Sequence, residues 1–257
     1  MTEEFNAYKP IDTPTDPRSR SRLLGRLVLF IGGLLLLIFL GWLLLFSVQQ
    51  VKKSARFEQS SQNLRILAIG MLNYEAANNT LPLHDNNGLS WRVHILPFID
   101  EEELYSCFHL DEPWDSPHNI QLIDKMPFVY MHPTLEETEH AETVFQVPYT
   151  ETKTNPAAED RALFDDTGKP TSSKNVPDGR NNTLMILAVD PAAAVEWTKP
   201  ADWRFDPSAP TRDLNAVARG EVTVAYADGS RWNIAEDTSS EQFKAMVTKQ
   251  GGEKLER

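Results

Sequence analysis

Cysteine is almost absent from this 257-residue chain: Cys107 stands alone, so no intrachain disulfide can brace the fold. Positive charge is also scarce, 25 Lys and Arg against 37 Asp and Glu, for a formal net charge of −12. The deficit is uneven. Residues 57–257 carry 17 basic against 33 acidic side chains, a net of −16, and an acidic domain of this kind excludes nucleic acid as an expected partner. Also missing are a nucleophile elbow, a phosphate-binding Gly-rich loop, a dinucleotide fingerprint and a His-Glu-x-x-His helix. The expectation is therefore a non-enzymatic protein, with no catalytic, cofactor-binding or metal-binding residue assigned and no cofactor required.

The most informative absence is local. From Leu27 to Phe46 no side chain is ionisable, and at 1.5 Å per residue such a helix covers roughly 30 Å, the hydrocarbon thickness of a bilayer. Beyond Lys52 and Lys53 the pattern becomes amphipathic, with Phe57, Leu64, Leu67, Met71 and Tyr74 at helical spacing. Asn78-Asn79-Thr80 and Leu81-Pro82 supply the stop. One helix from Leu27 to Asn79 would be on the order of 80 Å long. Arg18, Arg20, Arg22 and Arg26 precede the span and Lys52, Lys53 and Arg56 follow it, so the positive-inside rule favours a cytoplasmic N-terminus by one charge. The apolar stretch is long for a signal peptide and lacks a small-x-small site after it, which favours a retained anchor.

The expected organisation is a disordered cytoplasmic tail at 1–26, a transmembrane helix at 27–51, a soluble helical half at 52–80 and one α+β domain at 81–257, outside the cytoplasm of a single-pass inner-membrane protein. Within the domain, Asn86-Asn87-Gly88 signals a turn, and Leu89 to Phe98 fits strand or short helix. Short helices are expected at Asp100–Phe108 and from Ser116-Pro117 to Lys125. Phe128–Met131 and Thr143–Val147 read as short strands, and Thr150–Asp178 as loop. Thr183–Val189 is the expected central strand, with Ala194–Trp197 returning after Asp190-Pro191. Val222–Ala227, Asp228-Gly229 and Ser230–Ile234 give the strongest hairpin signal. A terminal helix should begin at the capping-box pattern Thr238–Glu241 and stop at Gly251-Gly252.

Imidazoles and carboxylates crowd together only at His109, Asp111, Glu112, Asp115 and His118. Their spacing matches neither a calcium loop nor a His-x3-His zinc helix, so a structured turn packing Trp114 is expected, with a calcium or zinc site or a catalytic pair as alternatives. Among the other histidines, His94 fits a half-buried hydrogen-bonded residue, and His132 and His140 fit solvated ones. Trp197 and Trp203, beside Lys199 and Arg204, are either aromatic covers over a sheet edge or a stacking platform for carbohydrate.

Several blocks carry a family resemblance: Asn63-Leu64-Arg65 with Leu72-Asn73-Tyr74; Gly88 to Pro97; Phe108 to Asn119; Pro177-Asp178-Gly179 with Asn182-Thr183; Trp197 to Pro200; and Ala227 to Ser230. In order they resemble a pilin-like family of unknown function expanded in planctomycetes. The resemblance implies a type IV pilin or pseudopilin-like shape, a long N-terminal helix packed on an antiparallel sheet. Relatives often carry a prepilin site, Gly followed by Phe or Met with Glu at the fifth mature position. Here the residue five after Gly25 is Phe30, a His that precedes the last hairpin in relatives is Ala218, and a Cys-Pro is replaced by Met131-His132-Pro133. The expected role is a membrane-anchored structural or protein-interaction component of a secretion or surface assembly. It would associate with its own kind or with other pilin-like subunits, and Gly32, Gly33 and Gly41 would allow close helix approach. The alternative is a monomeric anchored extracytoplasmic module that binds glycan or calcium.

Overall fold

The computed structural model describes residues 17–82, 88–132, 141–154, 157–166, 171–212, 214, 222–235 and 237–251. Within its first helix the side chains of 17–25, 49–54, 56 and 57 are not described. Several expectations therefore fall outside the described residues: the tail through Asp16, Asn86 and Asn87, Pro133, His140, Ala218, Gly252, and the side chains of Lys52, Lys53, Arg56 and Phe57.

The chain divides into two units, Met1–Ser54 and Ala55–Arg257. Helix α1 runs Pro17–Asn78 and contributes to both. It starts earlier than the tail-and-span division expected, so the basic stretch Arg18–Arg26 is helical. Proline is preorganised for the first helical turn, and Arg and Leu are good helix formers. In the first unit, Arg26–Val48 is long and apolar enough to cross a membrane, and none of it is buried. Phe39, Trp42 and Phe46 stack in sequence along it, with ring centroids 6.3 and 5.8 Å apart.

In the second unit, α1 buries one face completely: Leu64, Leu67, Ala68 and Met71. The opposite side exposes Gln62, Ile66, Ile69 and Asn73. The helix stops where expected, at Asn79 (φ 61°), which takes the left-handed conformation that closes a helix. Leu81 N–H then donates to Thr171 O at 2.7 Å. Gly70 lets the next segment approach: a Cβ there would lie 2.6 Å from Ile99 Cγ2.

Leu89 to Phe98 resolves as helix, not strand: α2 (Trp91–His94), capped by Ser90, runs into a 3-10 turn at Leu96–Phe98. The expected acidic helix is α3 (Glu102–Ser106), and the helix expected from Ser116 to Lys125 is a 3-10 segment, Asn119–Lys125. Phe128–Tyr130 is also a 3-10 turn, correcting the strand expected there. Pro127 precedes it, and its Tyr130 is drawn into the core to donate to Arg92 O at 2.7 Å, so burial of one aromatic overrides β propensity.

The expected strand at Thr143–Val147 is split at Val144. Strand β1 (Glu142–Thr143) and strand β2 (Phe145–Gln146) enter different sheets. The segment expected to be all loop, Thr150–Asp178, begins on the last residue of β3 (Tyr149–Thr150) and contains β4 (Phe164–Asp165), and the two strands form a short parallel pair. The fully buried central strand is β5 (Leu184–Ala188). β6 (Val195–Glu196) does not return onto β5 as expected but pairs antiparallel with β1, because the 3-10 turn Pro191–Ala193 redirects the chain. β7 (Thr223–Tyr226) and β8 (Arg231–Asn233) form the expected hairpin, with Val224 opposite Trp232. The main sheet is antiparallel in the order β2-β5-β7-β8. Gly229 (φ 83°) forms the hairpin turn, and a Cβ there would lie 3.2 Å from Leu72 of α1, so the turn sits against the helix.

Helix α4 (Ser240–Val247) is capped by Ser239 and Gln242, one residue later than the Thr238–Glu241 pairing expected. It ends at Thr248, short of the glycines, because Thr248 bridges to Ala162 and Lys249 N–H donates to Arg161 O at 3.0 Å. The fold is thus α+β, a long N-terminal apolar helix followed by an antiparallel sheet domain with short helices.

Candidate functional site

The His109 to His118 cluster folds as a turn tied around one buried amide. Asn119 is fully buried. Its Oδ1 accepts from His109 N–H at 3.0 Å, and its Nδ2 lies 2.9–3.1 Å from the carbonyls of His109, Glu112 and Pro113. Ser116 Oγ accepts from Asn119 N–H at 3.1 Å. Trp114 N–H donates to Gly88 O at 3.0 Å, and the indole carries Lys199 Nζ 5.4 Å above its ring. That is the turn the sequence predicts. Asp111 and Asp115 point to solvent.

The two imidazoles are brought together. His109 and His118 stack with ring centroids 3.5 Å apart and planes within 1°. His109 Nδ1 lies 3.0 Å from Glu112 Oε1, and His118 Nε2 lies 2.8 Å from Cys107 O. The Glu112 carboxyl is held below its usual range, first by a hydrogen bond from Ser116 and then by His109. Among the described residues, no group of three or more His, Cys, Asp or Glu side chains is placed to hold a metal ion.

The indoles proposed as a carbohydrate platform are not available for stacking. Trp197 is fully buried, donates to Ile123 O at 2.8 Å, stacks on Tyr130 at 5.6 Å and meets Phe108 edge-on. Trp203 is 5% exposed and packs on Phe243 and Phe205. The expectation of aromatic covers is nearer, but these are core residues. His132 also differs from the solvated residue expected: burial pushes its pKa down to about 4, and it packs edge-on against Phe145.

Two polar centres escape sequence reasoning. The first is Arg92, fully buried in α2. Its Nε and Nη2 donate to Phe145 O at 3.0 and 2.8 Å, Nη1 donates to Ser90 Oγ at 2.8 Å, and Nη2 pairs with Asp202 Oδ1 at 2.9 Å. The same Asp202 oxygen accepts from Val147 N–H at 2.9 Å and Trp91 Nε1 at 3.2 Å. The second is Glu75, 2% exposed near the end of α1, which accepts from Ser172 Oγ, Ser173 Oγ and, at 2.7 Å, Ser173 N–H. Burial alone would raise its pKa, but the hydrogen bonds from Ser172 and Ser173, with Arg180 beyond, together hold it below the ordinary value. Both centres join segments remote in sequence, where a local pattern gives no signal.

These features define a class: an α+β domain carried by an N-terminal helix that is long and apolar enough to cross a membrane. A family model matches residues 49–209, and the chain belongs to that family, described as a protein of unknown function (DUF1559). No curated protein and no solved structure matches the chain significantly.

Proposed function

We propose that the protein is a single-pass membrane component of pilin or pseudopilin type, anchored by Arg26–Val48 with its α+β domain outside the cytoplasm, acting through protein contacts within a secretion or surface assembly. The observation that carries this reading is the exposure of every apolar side chain of the span, a surface that only lipid or other helices can cover at low cost. Supporting it, a Cβ added at Gly32, Gly33 or Gly41 would meet nothing within 4 Å, which leaves room for another helix to approach closely. The burial of Trp197 and Trp203 counts against the indole surface, one of the two faces on which the binding-module alternative rested, and leaves its acidic face.

Site-specific crosslinking of the full-length protein in its membrane tests the reading. Substitution of Gly33 and Gly41 by Leu is expected to lower the crosslinked fraction severalfold. An unchanged yield, or no crosslinking of the parent protein, would contradict it.

A further inference from the structure

We infer that the outward face of α1 in the second unit is a seam for a second copy of this chain, with the same helix face of the neighbour packed against it, parallel and in register.

Exposure along α1 follows a seven-residue pattern. Gln62, Ile66, Ile69, Asn73 and Ala76 are separated by four, three, four and three residues, the a and d spacing of a coiled coil, and all five are exposed. The positions on the far side of the helix, Leu64, Leu67, Ala68, Met71 and Glu75, are all buried in the chain's own domain. One helix thus presents two faces for packing. Ile66 and Ile69 are 45% and 42% exposed, where a surface helix ordinarily turns charge to water. β-Branched side chains at a and d positions suit helix pairing, and a single Asn at an a position, here Asn73, specifies the register.

Charge selects the partner. Residues 57–257 carry a net charge of −16, so two copies repel wherever their acidic surfaces meet. From Ile66 to Asn78 no exposed side chain of α1 is charged, and two copies can meet there without bringing carboxylates together. Met131 extends the apolar surface at the flank: its carbonyl accepts from Asn63 Nδ2 at 3.0 Å, and its side chain is 43% exposed. From Gln62 to Ala76 the seam is about 21 Å long, and one helix face of that length offers less than the roughly 800 Å² per partner of a stable dimer. The seam therefore needs the high local concentration that two anchors in one membrane supply, and in this it rests on the anchoring proposed above. Anchoring in one membrane also makes the two helices parallel.

The test uses the full-length protein with Cys107→Ser, in native membranes, carrying one new cysteine at a time and treated with a mild oxidant. Ile66→Cys, Ile69→Cys and Asn73→Cys are each expected to give disulfide-linked dimers at a yield severalfold above that of Glu241→Cys, an exposed position on α4, because only parallel, in-register packing sets a residue beside its own copy. Adding Ile66→Lys to the Asn73→Cys protein should lower its yield severalfold, and circular dichroism checks that each exposed substitution leaves the fold intact. Native mass spectrometry from detergent reads association through any surface. Oligomers without crosslinks at the three seam positions would overturn the seam and leave the assembly role standing, whereas a monomer without crosslinks would overturn both. A yield equal to that of Glu241→Cys, or one unaffected by Ile66→Lys, would also overturn the seam.

Discussion

Removing Asp202 tests the packing logic most severely. Its Oδ1 serves three donors at once: Arg92 Nη2 at 2.9 Å, Val147 N–H at 2.9 Å and Trp91 Nε1 at 3.2 Å. Both side chains of the ion pair are fully buried. Asp202→Ala therefore leaves a guanidinium without its counter-charge in the core, and breaking a buried pair from one side costs about 3–5 kcal/mol. That is a large fraction of the roughly 5–15 kcal/mol that holds a domain together. The guanidinium keeps Phe145 O and Ser90 Oγ as acceptors, which places the expected loss near the lower end of the range. The assay is urea unfolding of the full-length protein in detergent, followed by tryptophan fluorescence. The double variant Arg92→Met, Asp202→Leu should be much less destabilised than Asp202→Ala, because replacing both partners with apolar groups removes the charge along with its penalty. A single-variant loss below about 1 kcal/mol, or a double variant worse than the single, would refute the argument.

Gly70→Ala brings a methyl to within 2.6 Å of the β-branched Ile99. Overpacking costs about 1–3 kcal/mol and better helix propensity returns about 1, so thermal unfolding should show a net loss of up to roughly 2 kcal/mol and a larger one for Gly70→Val; a stabilised Ala variant would mean that the contact yields freely. His132 titrates near 4 in the fold against an ordinary 6.5. The unfolded chain then binds the extra proton first, and stability should fall as pH drops from about 6.5 towards 4, by roughly 3 kcal/mol at most, with His132→Phe flattening that slope in pH-dependent denaturation. Glu75, whose carboxyl is held below its ordinary value of 4.5, contributes stability that is fully present above that value and lost as pH falls through the folded-state pKa. Glu75→Gln should lower stability at neutral pH and reduce the loss on acidification below 4.5, and an unchanged acid profile would show that the Ser172 and Ser173 contacts contribute little.

Elements set by local pattern are legible in the sequence. The apolar run, the amphipathic continuation through Met71, the stop at Asn79 and the Asp228-Gly229 hairpin all follow from residues within a turn or two of one another, and the structure carries each of them. The turn at His109 to Asn119 follows from Pro113 and Trp114, although the amide that ties it does not. What the sequence hides depends on distant partners. Phe128–Tyr130 abandons β structure to place Tyr130 under Arg92, and the Thr143–Val147 run divides because β6 and β5 each claim one end. Trp197 stands next to an exposed Lys199 in the sequence yet turns fully inward to Tyr130 and Ile123, a choice no adjacent residue encodes. Arg92 in a four-residue helix likewise reads as a surface charge until Asp202, on a remote loop, is placed beside it.

The central claim, that Arg26–Val48 is a retained membrane anchor, is tested most directly by alkaline carbonate extraction of native membranes followed by intact-mass measurement and N-terminal sequencing of the protein found in each fraction. The account predicts a chain in the membrane pellet that still contains Leu27–Phe46, with a mass near 29.1 kDa if it is unprocessed. A chain released to the supernatant and beginning beyond Val48 would contradict it, making the apolar stretch a cleaved signal sequence.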